Sequence, residues 1–357
     1  MIDFLVIGGG IAGTSVGARL SHLGHVVVLE RETALAYHAS GRSAAMFEES
    51  YGAPSTIALN KASRDYHFEA NGGVTSPRGL MLIGTADSTQ AFQTDLVDMQ
   101  LQQIGVDDAR AMIPILNNSV TQIGYSAGAW DLDTDLLVQN FAREVRGNGG
   151  MVRTSAEVTA VARTATGWDV TLGEEVLSAR NLVNAAGAWV DVIAQKAGIA
   201  PLGVTPLRRS MARIPAPGGH DVSSWPMLFG PGENWYAKPD AGALIVSPAD
   251  EVLMPPMDAW ADDMMLAEGL ARYEAHVTEP VTQMLSNWAG LRTFAPDRNL
   301  VLGPDARDAS FIWMAGQGGY GFQTAPAASQ LVADLLAGNT PQIAAEMVAK
   351  LVPHRFA

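Results

Sequence analysis

Phe4-Leu5-Val6-Ile7-Gly8-Gly9-Gly10-Ile11-Ala12-Gly13, read together with Val26-Val27-Val28-Leu29-Glu30, decides the fold of this chain. Four consecutive apolar residues suit a buried parallel strand. The glycines after it fit G-x-G-x-x-G, and Ile11, Ala12, Val16, Leu20 and Leu23 then recur at helical spacing. Gly24 is placed to cap that helix. A second apolar strand follows and ends on an acid. Gly8, Gly10 and Gly13 allow a tight turn and a close backbone approach to a pyrophosphate at the helix N terminus. Glu30 is placed to bond both ribose hydroxyls. Glycine-rich turns alone are common, but strand, glycines, helix, strand and acid in this order predict a dinucleotide site. The acid disfavours a ribose 2′-phosphate and so NADP; it does not separate FAD from NAD.

Later segments make that separation. Trp168 to Leu172 alternates as a strand and leads past Gly173 into Leu182-Val183-Asn184-Ala185-Ala186-Gly187-Ala188-Trp189, a strand running into small residues. Phe311 to Thr324 is again a strand followed by a glycine-rich turn, with a helical stretch from Ala327 to Leu336. Nucleotide-domain pieces therefore stand at the start, middle and end, whereas an NAD dehydrogenase usually keeps them in one stretch. The dispersal favours a flavoprotein.

Composition narrows the class further. The chain has 357 residues, 48% apolar and 17% charged, with a formal net charge of −14. That charge opposes nucleic-acid binding and attraction to anionic membranes. No apolar run approaches a membrane span. With no cysteine, disulfides, Cys-ligated metals and thioether-linked flavin are excluded. No basic segment or cleavage site precedes the first strand, so no secretory leader and a cytoplasmic location are expected. His22 and His25 straddle a helix end, and no metal site is expected. The alternating acids from Asp131 to Asp135 lack a calcium loop's glycine and glutamate, and a helix cap before Leu136 is the better reading.

The motifs VIGGGIAG, VVVLERE, YHASGRSAA, DTD (Asp133 to Asp135), LVNAAGAW, RRS, WPML, YAKPDAG, WAGLRTF and GQGGYGFQT resemble the FAD-dependent amine and amino-acid oxidoreductases of the D-amino-acid oxidase superfamily. Within it they are most similar to the bacterial D-arginine dehydrogenases. The resemblance covers nearly the whole chain and implies an α/β, two-domain fold. A Rossmann-type FAD domain would comprise 1–45, 134–200 and 295–357, and an antiparallel-sheet substrate domain 46–133 and 201–294. Non-covalent FAD would lie against Gly8, Gly10, Ile11, Ala12, Gly13, Glu30 and Arg31, and along Ser40, Arg42, Ser43, Ala44 and Ala45. Val158, Ala186, Gly187, Trp189, Gly290 and Arg292 would continue the site to Gly318, Gly319, Tyr320, Gly321, Gln323 and Thr324.

The same resemblance implies an amino-acid site. Arg209 and Arg292 match carboxylate-clamping arginines, a task suited to a permanently charged, forked donor. Arg208 stands beside Arg209, so a one-residue slip would exchange them. Tyr51 and Tyr236 match tyrosines that close over substrate, with Trp235 adjacent to the latter, and the Gly319 carbonyl would meet the amine. The expected reaction is hydride transfer from Cα to flavin N5, then hydrolysis of the imine to a 2-oxo acid and ammonia. Four positions depart from the relative: Leu80 replaces a glutamate that reads a basic side chain, Met46 a histidine, Glu48 a threonine, and Phe229 a smaller residue. With Met227 they form an apolar pocket where a guanidinium lacks a counter-charge, which predicts neutral or hydrophobic D-amino acids. Glu48 either faces that pocket or lies on the surface.

Glycine, sarcosine or cyclic secondary amines are the alternative substrates on this scaffold. A flavin-binding accessory subunit without turnover is a further alternative, opposed by Arg209, Arg292 and Tyr236. Some oxidases of the group carry a lysine above the flavin. Here the lysines are Lys61, Lys196, Lys238 and Lys350, and a quinone or carrier is the expected electron acceptor in preference to oxygen. A monomer or small homo-oligomer is expected.

Overall fold

The strand Ile2–Ile7 lies at the centre of an eight-stranded sheet in a computed structural model that describes residues 1–356. Val26–Leu29 and Glu175–Asn184 flank it in parallel, and Met151–Arg153 and Phe311–Ala315 extend the parallel set outward. Antiparallel strands Ala160–Arg163, Trp168–Leu172 and Val301–Pro304 complete the sheet. Two apolar cores cover its faces, one around Val6, Val16, Phe141 and Leu331, the other around Leu5, Leu29, Trp168 and Trp313. The carboxyl ends of four parallel strands therefore open together at Gly8, Glu30, Ala185 and Gly316, where ligands bind in doubly wound folds.

Two glycines of the first motif have distinct tasks. Gly8 has a φ of +114° and lies so close to the Ala185 carbonyl that a Cβ would stand 2.3 Å from its oxygen. A Cβ on Gly13 would stand 1.8 Å from the Gly8 carbonyl oxygen, so this glycine seats the helix Ile11–Leu20 on the strand turn. That helix ends at Leu20, four residues before Gly24. The Gly24 cap expected from the sequence is replaced by Ser21, and Gly24 serves packing, because its Cβ would meet the Asp3 side chain at 2.8 Å. The last long helix is Gly321–Ala337 and begins well before Ala327, holding Pro326 inside it. Asp133 does cap the helix Thr134–Gly147, accepting from the Leu136 N–H at 2.9 Å.

The second sheet has nine strands, drawn from 80–126 and 205–294. It is antiparallel except where Met227–Phe229 runs parallel to Leu80–Thr85. Met46–Phe47 joins a small three-stranded sheet with Trp130–Leu132 and Thr75–Pro77. Phe47, Leu59, Val74 and Leu132 bury into the same core as Val6 and Val16, so 46–133 contributes to both bodies. Among the described residues no helix is long and apolar enough to cross a membrane.

Candidate active site

Strand register places the two arginines. Leu207 pairs with Arg292 and Arg209 with Gly290 across the antiparallel strands Thr205–Pro215 and Ser286–Phe294. Arg209 and Arg292 are thus diagonal neighbours on one face, while Arg208 points to the other. There Arg208 Nε donates to buried Asp250 at 3.1 Å. On the functional face Arg209 Nε donates to the Asp250 carbonyl at 3.0 Å, and its terminal nitrogen stands 3.4 Å from Glu251. Burial and the nearby Arg292 charge pull the Arg209 pKa down. Among the described residues the Arg292 guanidinium has neither a hydrogen-bond nor an ion-pair partner, and the residue is partly buried on the wall of two cavities. Burial opposes its charge, but Tyr236, Tyr51, Glu233 and Tyr320 face it and together hold its pKa above the ordinary value.

Two cavities meet at these residues. The larger, about 260 Å³, follows the strand ends from Gly8 through Glu30, Val158 and Ala186 to Gly319. The smaller, about 110 Å³, is walled by Leu80, Met99, Met227, Phe229, Trp235 and Tyr236. Ser43, Ala45, Met46, Arg209, Arg292, Gly319 and Gln323 border both. Arg292 therefore stands on the seam.

In the larger cleft, Glu30 accepts from the Gly9 N–H at 2.7 Å and the Glu32 N–H at 2.9 Å, which orients its carboxylate beneath the glycine turn. Ser40 Oγ accepts from the Ile11 N–H at 3.0 Å and so ties the small-residue loop to the helix N terminus. Arg31 stacks on the Trp189 ring at 4.1 Å. Gly10, Ile11, Ala12, Ser43, Ala45, Gly187, Gly290, Gly318 and Gly321 also line it. Arg42 borders the cleft, but its guanidinium is spent on the Ala259 and Ala289 carbonyls, both at 2.9 Å, and on Asp258 at 2.6 Å. It clasps the loop to the second body.

Four residues assigned to the cofactor from sequence lie elsewhere. Gly13 sits behind the turn, and Ala44 faces the smaller cavity. The Tyr320 ring packs 5.4 Å from that of Tyr51 and borders neither cavity. Thr324 is buried, with its hydroxyl turned back to the Tyr320 carbonyl. Backbone packing decides for Gly13 and side-chain direction for the other three, and a motif encodes neither.

The cavity walls follow from sheet alternation. Leu80, Met227, Phe229 and Tyr236 share one face through the pairs Leu80–Met227 and Phe229–Tyr236. The Tyr236 hydroxyl stands 3.3 Å from Met211 Sδ. Tyr51 donates to Glu233 Oε2 at 2.8 Å, and burial pushes its pKa far up, so the hydroxyl stays protonated. Glu48 lines this cavity, resolving its two sequence alternatives. Burial raises its pKa. Glu233, Met99 and Gln317 escaped sequence reasoning; Glu233 sits in a Pro-Gly-Glu turn whose proximity to Tyr51 is purely tertiary.

The larger cleft fits FAD on its own geometry. It offers a glycine cradle under a helix N terminus, a carboxylate at the ribose position and a buried Gln317 Oε1 with no protein donor. Fold and site together define a Rossmann-type dinucleotide-binding enzyme with a second ligand cavity opening from the cofactor cleft. The chain belongs to the DAO family of FAD dependent oxidoreductases, whose family model matches residues 3–335. It is 25% identical to glycine oxidase of Pseudomonas putida over 371 residues, covering 95% of each chain. FAD-dependent oxidoreductase domain-containing protein 1 of Bos taurus is 22% identical over 396 residues, covering 94% of this chain and 81% of that protein. The L-proline dehydrogenase structure from P. horikoshii superposes with a TM-score of 0.84 at 21% identity, over 99% of this chain and 97% of that one.

Proposed function

We propose that this FAD-dependent oxidoreductase deaminates D-amino acids with neutral side chains, releasing 2-oxo acids and ammonia. The observation that carries the proposal is the unpartnered Arg292 guanidinium on the seam between the two cavities. A partly desolvated cation without a protein partner favours an anion beside it, and a substrate carboxylate can bond it bidentately. Arg209 supports the same anion from the neighbouring strand, and Tyr51 and Tyr236 close over it. Fixing the carboxylate there orients the Cα hydrogen toward the larger cleft, which is the positional part of catalysis. The Gly319 carbonyl receives the amine. Met46, Leu80, Met227 and Phe229 enclose the side chain.

Gly8 to Ala12, Glu30, Ser40, Ser43, Ala45, Val158, Ala186 to Trp189, Gly318, Gly319 and Gly321 would hold FAD, which when bound supplies a two-electron oxidant beside the seam. The substrate loses its Cα hydrogen and an amine proton, and water hydrolyses the imine product. The D configuration is inferred from the resemblance of the sequence motifs to those of the D-arginine dehydrogenases. Replacement of that enzyme's glutamate by Leu80 removes the reason to prefer arginine.

Glycine, sarcosine or a cyclic secondary amine such as proline is the second reading, favoured by the end-to-end likeness to glycine oxidase. An accessory subunit would have no need of an unpaired Arg292. The electron acceptor is a quinone or carrier. Lys238, the lysine nearest the loop Ser43–Ala45, is held by Asp131 at 2.8 Å and the Ala45 carbonyl at 3.2 Å, and lines neither cavity. Incubation with D/L pairs and with glycine, sarcosine and proline, followed by assays for 2-oxo acid and ammonia, tests the assignment. Deamination of D-amino acids is expected; turnover confined to L-amino acids or to secondary amines overturns it.

A further inference from the structure

The wall between the two cavities is a loop with little to pack. Ser43, Ala45 and Met46 border both spaces, and Ala44 borders the smaller. Ser43, Ala44 and Ala45 have almost no side chain, which admits close approach of a ligand but leaves the loop without anchors of its own. Ser43 Oγ accepts from the Ala45 N–H at 3.2 Å, a bond internal to the loop. A run of small residues loses much conformational freedom on being ordered, so its backbone must be fixed from outside.

The anchor stands on the far side of the loop. Lys238 follows Tyr236 by two residues on the strand Tyr236–Asp240 and so shares its face. Tyr236 reaches the smaller cavity, whereas Lys238 lines neither. The Lys238 ammonium donates to the carbonyls of Ala44 at 2.5 Å and Ala45 at 3.2 Å, and it stands 2.8 Å from Asp131 Oδ1. Asp131 is itself placed twice over. It pairs in register with Met46, where the loop enters the strand Met46–Phe47, and its Oδ2 accepts from Arg78 Nε at 2.8 Å. Arg78 reaches on to the Ser223 and Trp225 carbonyls at 2.7 and 2.8 Å. Burial lowers the Lys238 pKa, and Asp131 opposes that fall. Three acceptors around one nitrogen match the three donors of an ammonium. A planar guanidinium fits that arrangement less well, and an apolar residue leaves two carbonyls without their donor.

We propose that Lys238 is a positioning residue for the flavin reaction: by holding two successive carbonyls of the loop 43–46, it sets the wall between cofactor and substrate. The proposal rests on reading the larger cleft as the FAD site and the smaller as the amino-acid site. Lys238 acts through the loop backbone and touches neither ligand. A shift of that wall by ~1 Å spoils alignment more than carboxylate binding, because Arg209 and Arg292 stand on other strands.

The test compares FAD-loaded wild type with Lys238→Met, Lys238→Arg and, as a stability control on the opposite face, Arg208→Met. In Lys238→Met, kcat for the best amino acid is expected to fall ~10–100-fold with KM within about threefold. Its visible flavin bands change shape, and FAD affinity drops ~10-fold. Lys238→Arg recovers part of the rate, whereas Arg208→Met lowers the melting point and keeps wild-type bands and kcat. Unchanged bands and kcat in Lys238→Met, a loss confined to KM, or rate losses that simply track melting points across the variants overturn the proposal. Should Lys238→Met not fold, Lys238→Arg carries the comparison: altered bands at a retained melting point support the clamp, and unaltered bands overturn it. If no amino acid or amine is oxidised, yet bands and FAD affinity respond to Lys238→Met and not to Arg208→Met, deamination fails and the clamp stands. If amino acids are oxidised and neither flavin nor kcat responds to Lys238, the clamp alone fails.

Discussion

Replacing Arg292 by methionine separates what this residue does for binding from what it does for stability. Its guanidinium is partly desolvated and has no protein partner, so the ligand-free protein gains no ion pair to offset that desolvation. A bidentate charge-assisted contact to a carboxylate contributes about 2–3 kcal/mol, or ~30–150-fold in affinity. Arg292→Met therefore weakens binding of a substrate-like carboxylate by about that factor, while Arg209 keeps the residual affinity. Methionine fills much of the same volume without the charge, and the thermal midpoint of the ligand-free, FAD-loaded variant is expected to equal or exceed that of wild type. Arg292→Lys retains charge without the fork and falls between the two. The assay is titration of the flavin spectrum with a simple carboxylate, paired with a melt in the absence of ligand. Carboxylate affinity within twofold of wild type refutes the reasoning, as does a large loss of thermal stability with affinity unchanged.

Arg208→Met has the opposite signature. It leaves buried Asp250 without its arginine and is expected to lower stability by about 3–5 kcal/mol in urea unfolding, with carboxylate affinity nearly unchanged; a binding defect larger than that of Arg209→Met contradicts the register. His67 is fully buried, its Nε2 at 2.9 Å from the Gln323 carbonyl, and burial lowers its pKa from 6.5 to about 4. Between these values the unfolded chain binds the extra proton, so stability present above pH ~6.5 is lost as pH falls toward ~4, by up to ~3 kcal/mol. The difference between wild type and His67→Gln in unfolding free energy should change by that amount from pH 7 to pH 4, and parallel curves refute the assignment.

The nucleotide half of the molecule was legible because its physics is local. Glycine turn, helix and terminal acid follow one another within 30 residues, and each is dictated by backbone approach or helix-end electrostatics. Gly24 misled because a glycine after an apolar period reads as a cap, whereas here it makes room for Asp3. The amino-acid site was legible through the motif resemblance, and register then separated Arg209 from Arg208. Glu233 was hidden because its partner Tyr51 lies 182 residues away. Glu48 remained double because nothing in Glu48-Glu49 says which acid turns inward. Packing answers it: Glu49 reaches Arg64 outside, and Glu48 borders the chamber.

The central claim is that the Arg292 seam holds an amino acid for oxidation by the cofactor beside it. Anaerobic stopped-flow mixing of the FAD-loaded protein with both enantiomers of a broad amino-acid panel tests it most directly. The account predicts bleaching of the flavin absorbance by neutral D-amino acids, with a rate that saturates with substrate and an affinity that falls in Arg292→Met. A flavin that no amino acid or amine reduces, or one reduced equally well by Arg292→Met at low substrate concentration, contradicts it.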